Sequence, residues 1–187
     1  MPLKKDAEPF LTMDSGAGNK MNVRKGTNHA KITGNFGEGL VLYWLSKYGF
    51  ECAVVDHTGI DIIARNPHTP EIMGISVKSR CRNERTEQNY ITIPNDNFTK
   101  AKAACDAFGC VPYFAIVVDA GEIIRVFILS MSHLLELSPQ RKLAAGWKMT
   151  GNDLRRYAGD SEIQTFEFDT RTPRWWKGPM PLVASTS

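Results

Sequence analysis

Apolar residues along this chain recur with two spacings, one of three to four positions and one that is alternating or continuous. The first helical period lies between Gly34 and Tyr48. There Val41, Trp44, Leu45 and Tyr48 fall at i, i+3, i+4 and i+7, the spacing of one buried helix face. Gly49 follows as the stop. Residues 50–55 are rich in β-formers and predict a strand, Asp56-His57-Thr58-Gly59 a turn, and residues 60–64 a second strand. Asn66-Pro67-His68-Thr69-Pro70 is a hairpin loop leading to a third strand over 72–78. A polar stretch, 80–89, precedes a short strand at 90–93, after which Asn95 and Asp96 offer helix N-caps. Phe98, Ala101, Cys105 and Phe108 mark the apolar stripe of a second helix, closed by Gly109. Residues 113–118 are continuously apolar, as a central strand covered on both faces requires. Asp119-Ala120-Gly121 turns into a strand over 123–129, and Ser132 offers a cap for a short helix through Leu137.

The core order is therefore helix, three strands, a short strand, helix, two strands, with no internal repeat. This predicts an α/β domain with helices against a central sheet. Residues 139–178 carry a weaker pattern, with 154–157 and 163–168 as candidate helix and strand. Residues 1–28 are rich in Lys, Gly, Asn and Met without a hydrophobic period, so order is expected to begin near Lys31. The chain divides into an N-terminal flexible arm, 1–28, a core domain, 29–138, and a C-terminal extension, 139–187, packed on or flanking that core.

Composition narrows the class of protein without naming a function. The 187 residues, 42% hydrophobic and 23% charged, suit one ordinary globular domain and exclude a disordered chain. No apolar run approaches the roughly 18 residues of a membrane span, and the N-terminus lacks the apolar stretch of a signal peptide. The expectation is a soluble cytoplasmic protein with no membrane partner. Cys52, Cys81, Cys105 and Cys110 show no C-x-x-C pairing and read as reduced thiols. A net charge of +3 decides nothing, but its distribution does more. Lys78, Arg80, Arg82 and Arg85 stand against the single Glu84, and a second cluster, Arg171-Thr172-Pro173-Arg174-Trp175-Trp176-Lys177, mixes cations with aromatics. Such mixtures contact phosphates and stack on bases, although the everyday role of each is a solvated surface or a packed terminus.

Three features carry candidate chemistry. Glu38 lies three residues before Val41 and seven before Leu45, on the apolar stripe of the first helix, where ionisation is costly without a cation. Its ordinary reading is an acid favoured near a helix start. Asp61 enters a strand of otherwise apolar residues just after Gly59, and such an aspartate is commonly a turn residue. In Ile75-Ser76-Val77-Lys78, strand alternation puts Ser76 and Lys78 on one face, and a lysine in such a strand often just marks an edge. Together they say more. Asp61 and Ser76 are 15 positions apart, the separation of neighbours on adjacent antiparallel strands joined by a hairpin. Asp61, Ser76 and Lys78 then gather beside the helix bearing Glu38. Oxygen ligands there can hold Mg²⁺, and an ammonium can sit near an attacking water and a developing phosphate charge. His29, His57, His68 and His133 are scattered, with only His57 close to Asp61 in sequence.

Gly34-Asn35-Phe36-Gly37-Glu38, then Gly59-Ile60-Asp61, then Ser76-Val77-Lys78 resembles the PD-(D/E)xK nuclease superfamily, in particular its archaeal Holliday-junction-resolvase-like and restriction-endonuclease-like branches. The likeness covers about residues 30 to 135. It implies a restriction-endonuclease-like fold with an αβββαβ core, a central mixed β-sheet flanked by helices. The implied activity is that of a metal-dependent nuclease (a hydrolase, or endonuclease, of DNA phosphodiesters) using Mg²⁺ or Mn²⁺. By the same resemblance Asp61 is a metal-ligating carboxylate, Lys78 the catalytic lysine, Glu38 the first-helix acid that binds metal or orients water, and the Val77 carbonyl a further ligand. Arg80, Arg82 and Arg85, just past the active strand, would follow the DNA backbone. A homodimer would suit a cut in two strands. Ser76 departs from the pattern, which has Glu or Asp there. Some restriction enzymes with serine at this place recruit a helix carboxylate, for which Glu38, or less directly Glu84 or Glu87, is available. The other reading is a catalytically inactive nucleic-acid-binding or assembly module on the same fold. Strands that failed to bring Asp61 beside Ser76 would leave the three motifs a coincidence within an unrelated α/β binding domain.

Overall fold

A computed structural model describes residues 28–82, 86 and 88–170 of the chain. Helix α1 (His29–Lys47) is followed by strands β1 (Glu51–His57), β2 (Ile60–Arg65) and β3 (Ile72–Cys81). The short β4 (Ile91–Pro94) runs into α2 (Asn95–Phe108), and β5 (Val111–Asp119), β6 (Ile123–Ser130) and α3 (Met131–Leu137) come next. The chain continues through β7 (Ala144–Trp147), α4 (Gly151–Ala158) and β8 (Gln164–Asp169). Six strands form the main sheet in the order β1-β2-β3-β5-β6-β8, and β4 pairs with β7 in a second, two-stranded sheet. Only the β3–β5 pair of the main sheet is parallel, because α2 carries the chain from one to the other. The fold is thus mixed α/β, with a central mixed sheet flanked by helices. No helix among the described residues is long and apolar enough to cross a membrane.

Each face of the sheet carries an apolar cluster. On one, Val41 and Leu45 of α1 pack on Ile62, Ile75, Val77 and Val126. On the other, Phe98 and Ala101 of α2 pack on Phe114, Ile116, Phe127 and Leu129. Strand β5 alternates between the two clusters, Phe114 and Ile116 on one side and Ala115 and Val117 on the other. A strand buried on both faces has no polar positions to show, which is why its sequence is an unbroken apolar run.

Several local expectations are corrected. Helix α1 begins at His29, a turn before the hydrophobic period becomes visible. Phe108 was expected on the buried stripe of α2 but is 47% exposed, while Ala104 and Cys105 are the buried residues of that end of the helix. Neither Asn95 nor Asp96 caps α2. Pro94 holds the cap position, while Asn95 bonds the 141–143 segment, its backbone N–H to the Leu143 carbonyl and its Nδ2 to the Arg141 carbonyl. The cap of α3 is Ser130, whose Oγ accepts from the His133 N–H at 3.2 Å, rather than Ser132.

Residues 139–170 are part of the body. Strand β8 extends the main sheet alongside β6, and α4 covers 154–157 as the pattern suggested. Trp147, Met149, Tyr157 and Ile163 enter the same core as α2 and β5, with the Trp147 and Tyr157 rings stacked at 4.0 Å. Phe166 stacks on Trp44 of α1, also at 4.0 Å. Strand β7, Ala-Ala-Gly-Trp, has little strand propensity of its own, and its pairing with β4 makes it one. The flexible arm expected before residue 28 and the Arg171–Lys177 cluster lie outside the described residues.

Candidate active site

Two neighbouring strands of the sheet part company in the middle of β3. The β2–β3 ladder runs from Arg65↔Ile72 to Ile62↔Ile75 and ends one step before Asp61 would face Ser76. Along its other edge β3 stays paired with β5 through Cys81↔Asp119. From Ser76 onward the β2-facing edge of β3 has no strand partner among the described residues. Asp61 takes the first vacant place, its Oδ2 accepting the Val77 N–H at 2.6 Å. In an extended strand a residue directs its N–H and its C=O to the same edge. The Val77 carbonyl therefore projects toward the side where the Asp61 carboxylate sits.

Alternation along β3 sorts the remaining groups. Met73, Ile75 and Val77 join the α1-side core, so Gly74, Ser76, Lys78 and Arg80 face the other way. Ser76 is 1% exposed, Lys78 half-buried and Arg80 exposed. Burial pushes the Lys78 ammonium below its ordinary pKa, with a contribution from Arg80, and the carboxylates of Asp61, Asp96 and Glu38 oppose the shift without reversing it. One partly dehydrated cation thus lies in the field of three acids from β2, α2 and α1.

Two glycines bring those elements close. A Cβ on Gly37 would lie 1.8 Å from Ser79 Oγ, so only glycine lets α1 rest on the free end of β3, with Glu38 the next residue of the helix. Gly59 has φ +111°, and a Cβ there would meet the Lys100 carbonyl of α2 at 2.4 Å. The turn before Asp61 is therefore pressed against α2, one turn from Asp96. Asp96 was not identified from the sequence as a site residue. An acid in the first turn of a helix is so commonly a dipole partner that nothing in the sequence marked it out. Its carboxylate also pairs with Lys100 at 2.7 Å, which holds its pKa down.

The donors on this edge are all oxygens: the Asp61 carboxylate, the Val77 carbonyl and the Ser76 hydroxyl. Among the described residues no three His, Cys, Asp or Glu side chains converge as a metal-binding group. The set fits a hard cation such as Mg²⁺, which takes one or two carboxylates and keeps several waters, and does not fit a caged transition metal.

The basic residues divide. Arg80 is exposed, with Nη1 donating to the Ser79 carbonyl at 2.8 Å. Arg82 is half-buried, and its Nη2 donates to the carbonyls of Asn89 and Tyr90, each at 3.1 Å. Its guanidinium ties down the end of the β3–β4 connection, a use that a run of cations in sequence does not reveal. Arg85, Glu84 and Glu87 lie outside the described residues. His57 is turned away from any partnership with Asp61, since its Nδ1 meets the Thr58 carbonyl at 3.0 Å and its ring meets Phe108 edge-on at 5.2 Å.

No family model matches the chain, and no curated protein does. Among solved structures the chain is similar to a Holliday junction resolvase of the archaeal hyperthermophile Archaeoglobus fulgidus. The two are 18% identical, with a TM-score of 0.46, over 62% of this chain and 83% of that one.

Proposed function

We propose that the chain is a metal-dependent nuclease that hydrolyses DNA phosphodiester bonds at the opening between β2 and β3. The observation that carries this reading is Asp61, bonded to the Val77 N–H where the ladder ends, next to the partly dehydrated Lys78. The order of the Glu38, Asp61 and Ser76-Val77-Lys78 motifs supports it, as does the oxygen-only donor set. Asp61, Glu38 and the Val77 carbonyl would hold Mg²⁺ or Mn²⁺. The chemistry supplied by such an ion when bound is acidification of water and neutralisation of phosphate charge. Asp61 is fixed for this role by its backbone bond, which spends one lone pair and leaves the second oxygen to face the opening. Lys78 places an ammonium beside the attacked phosphate, where low hydration strengthens its pull on developing negative charge. Arg80, exposed two residues further along the same face, serves the neighbouring phosphate.

A second reading, a non-catalytic DNA-binding or assembly module on this fold, draws its support from the buried Ser76 and from the lack of three converging acids among the described residues. One experiment separates the two. The full chain is incubated with duplex, four-way-junction and single-stranded DNA in Mg²⁺ or Mn²⁺, with EDTA as control. Cleavage of at least one substrate that EDTA stops is the expected result. Binding without cleavage in either metal would transfer the lead to the second reading.

A further inference from the structure

The first two turns of α1 overhang the ends of β3, β5 and β6 and leave a cavity of about 260 Å³ on the α1 face of the sheet. Val117 and Ile124, both buried, form its floor. Ile32 and Phe36, on adjacent turns of α1, form a wall although they are 64% and 47% exposed. Single exposed apolar residues need no explanation, but two that border an apolar cavity mark a surface suited to being covered. The volume is below the roughly 300 Å³ at which pockets for drug-sized ligands begin, which is the scale of one bulky side chain.

The path of the last strand points to the source of that side chain. Phe168 of β8 pairs with Ile124 of β6, and Ile124 pairs with Asp119 of β5, so β8 runs out beside two residues of the cavity lining. Two residues later Thr170 is tied to the β5–β6 turn, its N–H donating to the Glu122 carbonyl at 2.8 Å and its Oγ1 to the Gly121 carbonyl at 2.9 Å. Thr170 thus lies only about 7 Å along the strand from Phe168. Residues 171–187 begin there, with Trp175 and Trp176 five and six positions on. Five extended residues reach about 17 Å, enough to turn back over Ile124. Charge agrees with this path. The segment carries Arg171, Arg174 and Lys177 and no Asp or Glu, while Asp119, Glu122 and Asp169 stand where it starts.

We propose that the occupant of this cavity is the chain's own segment 171–187, with one indole of Trp175-Trp176 seated between Ile32, Phe36 and Ile124. An indole buries a large apolar area, and its contact with Phe36 adds an aromatic pair. Docked in this way, the segment joins the last strand of the sheet to the first turns of α1, the helix that carries Glu38. The inference stands apart from the nuclease reading and needs neither metal nor DNA.

The test is made on the full chain. Cys81 lines the same cavity, so the rate at which iodoacetamide alkylates it, read by peptide mass, reports whether the cavity is covered. Trp175→Ala combined with Trp176→Ala should raise that rate about fivefold or more, the weight of one aromatic contact. Ile32→Glu, which puts a charge in the wall at an exposed position, should raise it as much and shift the tryptophan emission to the red. In the double tryptophan variant Ile32→Glu should move neither reading. Cys105, fully buried, is the control for unfolding and should keep its rate throughout. If the tryptophan variant exposes Cys105, the rate and emission of Ile32→Glu decide alone. Equal Cys81 rates in parent and variants, or an Ile32→Glu effect that persists without the tryptophans, overturn the proposal. Protection of Cys81 that grows with protein concentration also overturns it, because a second copy would then be the cover. So does a double tryptophan variant that loses affinity for DNA while Cys81 reacts as in the parent, which would give the segment to nucleic acid.

Discussion

Lys78 and His133 are both basic side chains set among three carboxylates, and the balance between burial and those acids falls opposite ways at the two. At His133 the acids are in contact: Asp160 at 2.9 Å from Nε2, Glu136 and Glu162 at 3.2 and 3.5 Å from Nδ1. Burial alone would lower its pKa, but the hydrogen bonds its ring makes to Asp160 and Glu136 and the charges of Asp160 and Glu162 raise it instead. At Lys78 burial is the larger effect, and Asp61, Asp96 and Glu38 fail to offset it. A cation whose partners touch it is finished, and its role is to hold α3 to the turn before β8. At Lys78 the compensation falls short, and the phosphate and metal ion of the proposed reaction would alter that balance.

The largest effect to expect follows from removing each cation in turn. Lys78→Met keeps the volume and deletes the charge. DNA cleavage should fall by about 100-fold or more, in the range for loss of a group acting on the transition state, while Tm stays level or rises because a poorly compensated buried charge is gone. His133→Leu should do the reverse, leaving cleavage intact and lowering Tm, since Asp160, only 20% exposed, loses its partner. Parallel losses of activity and stability in Lys78→Met would make that lysine structural and erase the contrast.

Metal affinity sharpens the comparison from the acid side. Asp61→Asn retains an oxygen to accept the Val77 N–H, so the strands keep their geometry while the anionic ligand is lost, and Mg²⁺ binding by calorimetry should vanish. Ser76→Glu adds a carboxylate at a site 1% exposed. Without metal that variant should melt lower than the parent, because a buried charge is uncompensated, and Mg²⁺ should recover the loss by binding the folded state. Its affinity should rise about tenfold over the parent. Asp96 outranks Glu38 in its pull on Lys78, so Glu38→Gln and Asp96→Asn together decide which helix supplies the second acid. If none of the four changes alters Mg²⁺ binding, the opening between β2 and β3 is not where metal is held.

Much of the geometry of this candidate site was legible because strands obey simple counting. The separation of Asp61 and Ser76 fixes which strands are neighbours, and alternation fixes that Ser76 and Lys78 share a face. The fold class followed from the same counting, with β5 recognisable by its unbroken apolar run. What escaped depends on the third dimension. Gly37 and Gly59 matter because helices touch them, and sequence shows only that they are glycines. Asp96 becomes part of the site through the placement of α2, and Arg82 leaves the row of free cations because the β3–β4 connection folds back on it. Strand β7 and the contribution of Trp147 to the main core were missed for a related reason: Ala-Ala-Gly-Trp has no period, and its structure is imposed by β4.

The smallest expected effect, a few degrees in Tm, tests whether the His133 cluster is the finished structure argued above. The folded His133 pKa lies above its ordinary 6.5, so its stabilisation is fully present below 6.5 and is lost as pH rises through the folded value. Asp160 runs the other way. The His133 bond, with the Glu162 N–H, holds it below its ordinary 3.8, so its share is present above 3.8 and lost as pH falls through the folded value. Both contributions coexist between about 3.8 and 6.5, and within that window α3 is tied most firmly to the turn preceding β8. Other histidines titrate over the same range, so the measurement is the difference in Tm between parent and His133→Gln, followed from about pH 5 to 8. Glutamine keeps a donor for Asp160 and cannot take a proton. The difference should be widest near pH 5 and narrow steadily toward pH 8. A difference that stays constant across the range would mean that His133 is held neutral, and its three carboxylates would then leave it as unfinished as Lys78.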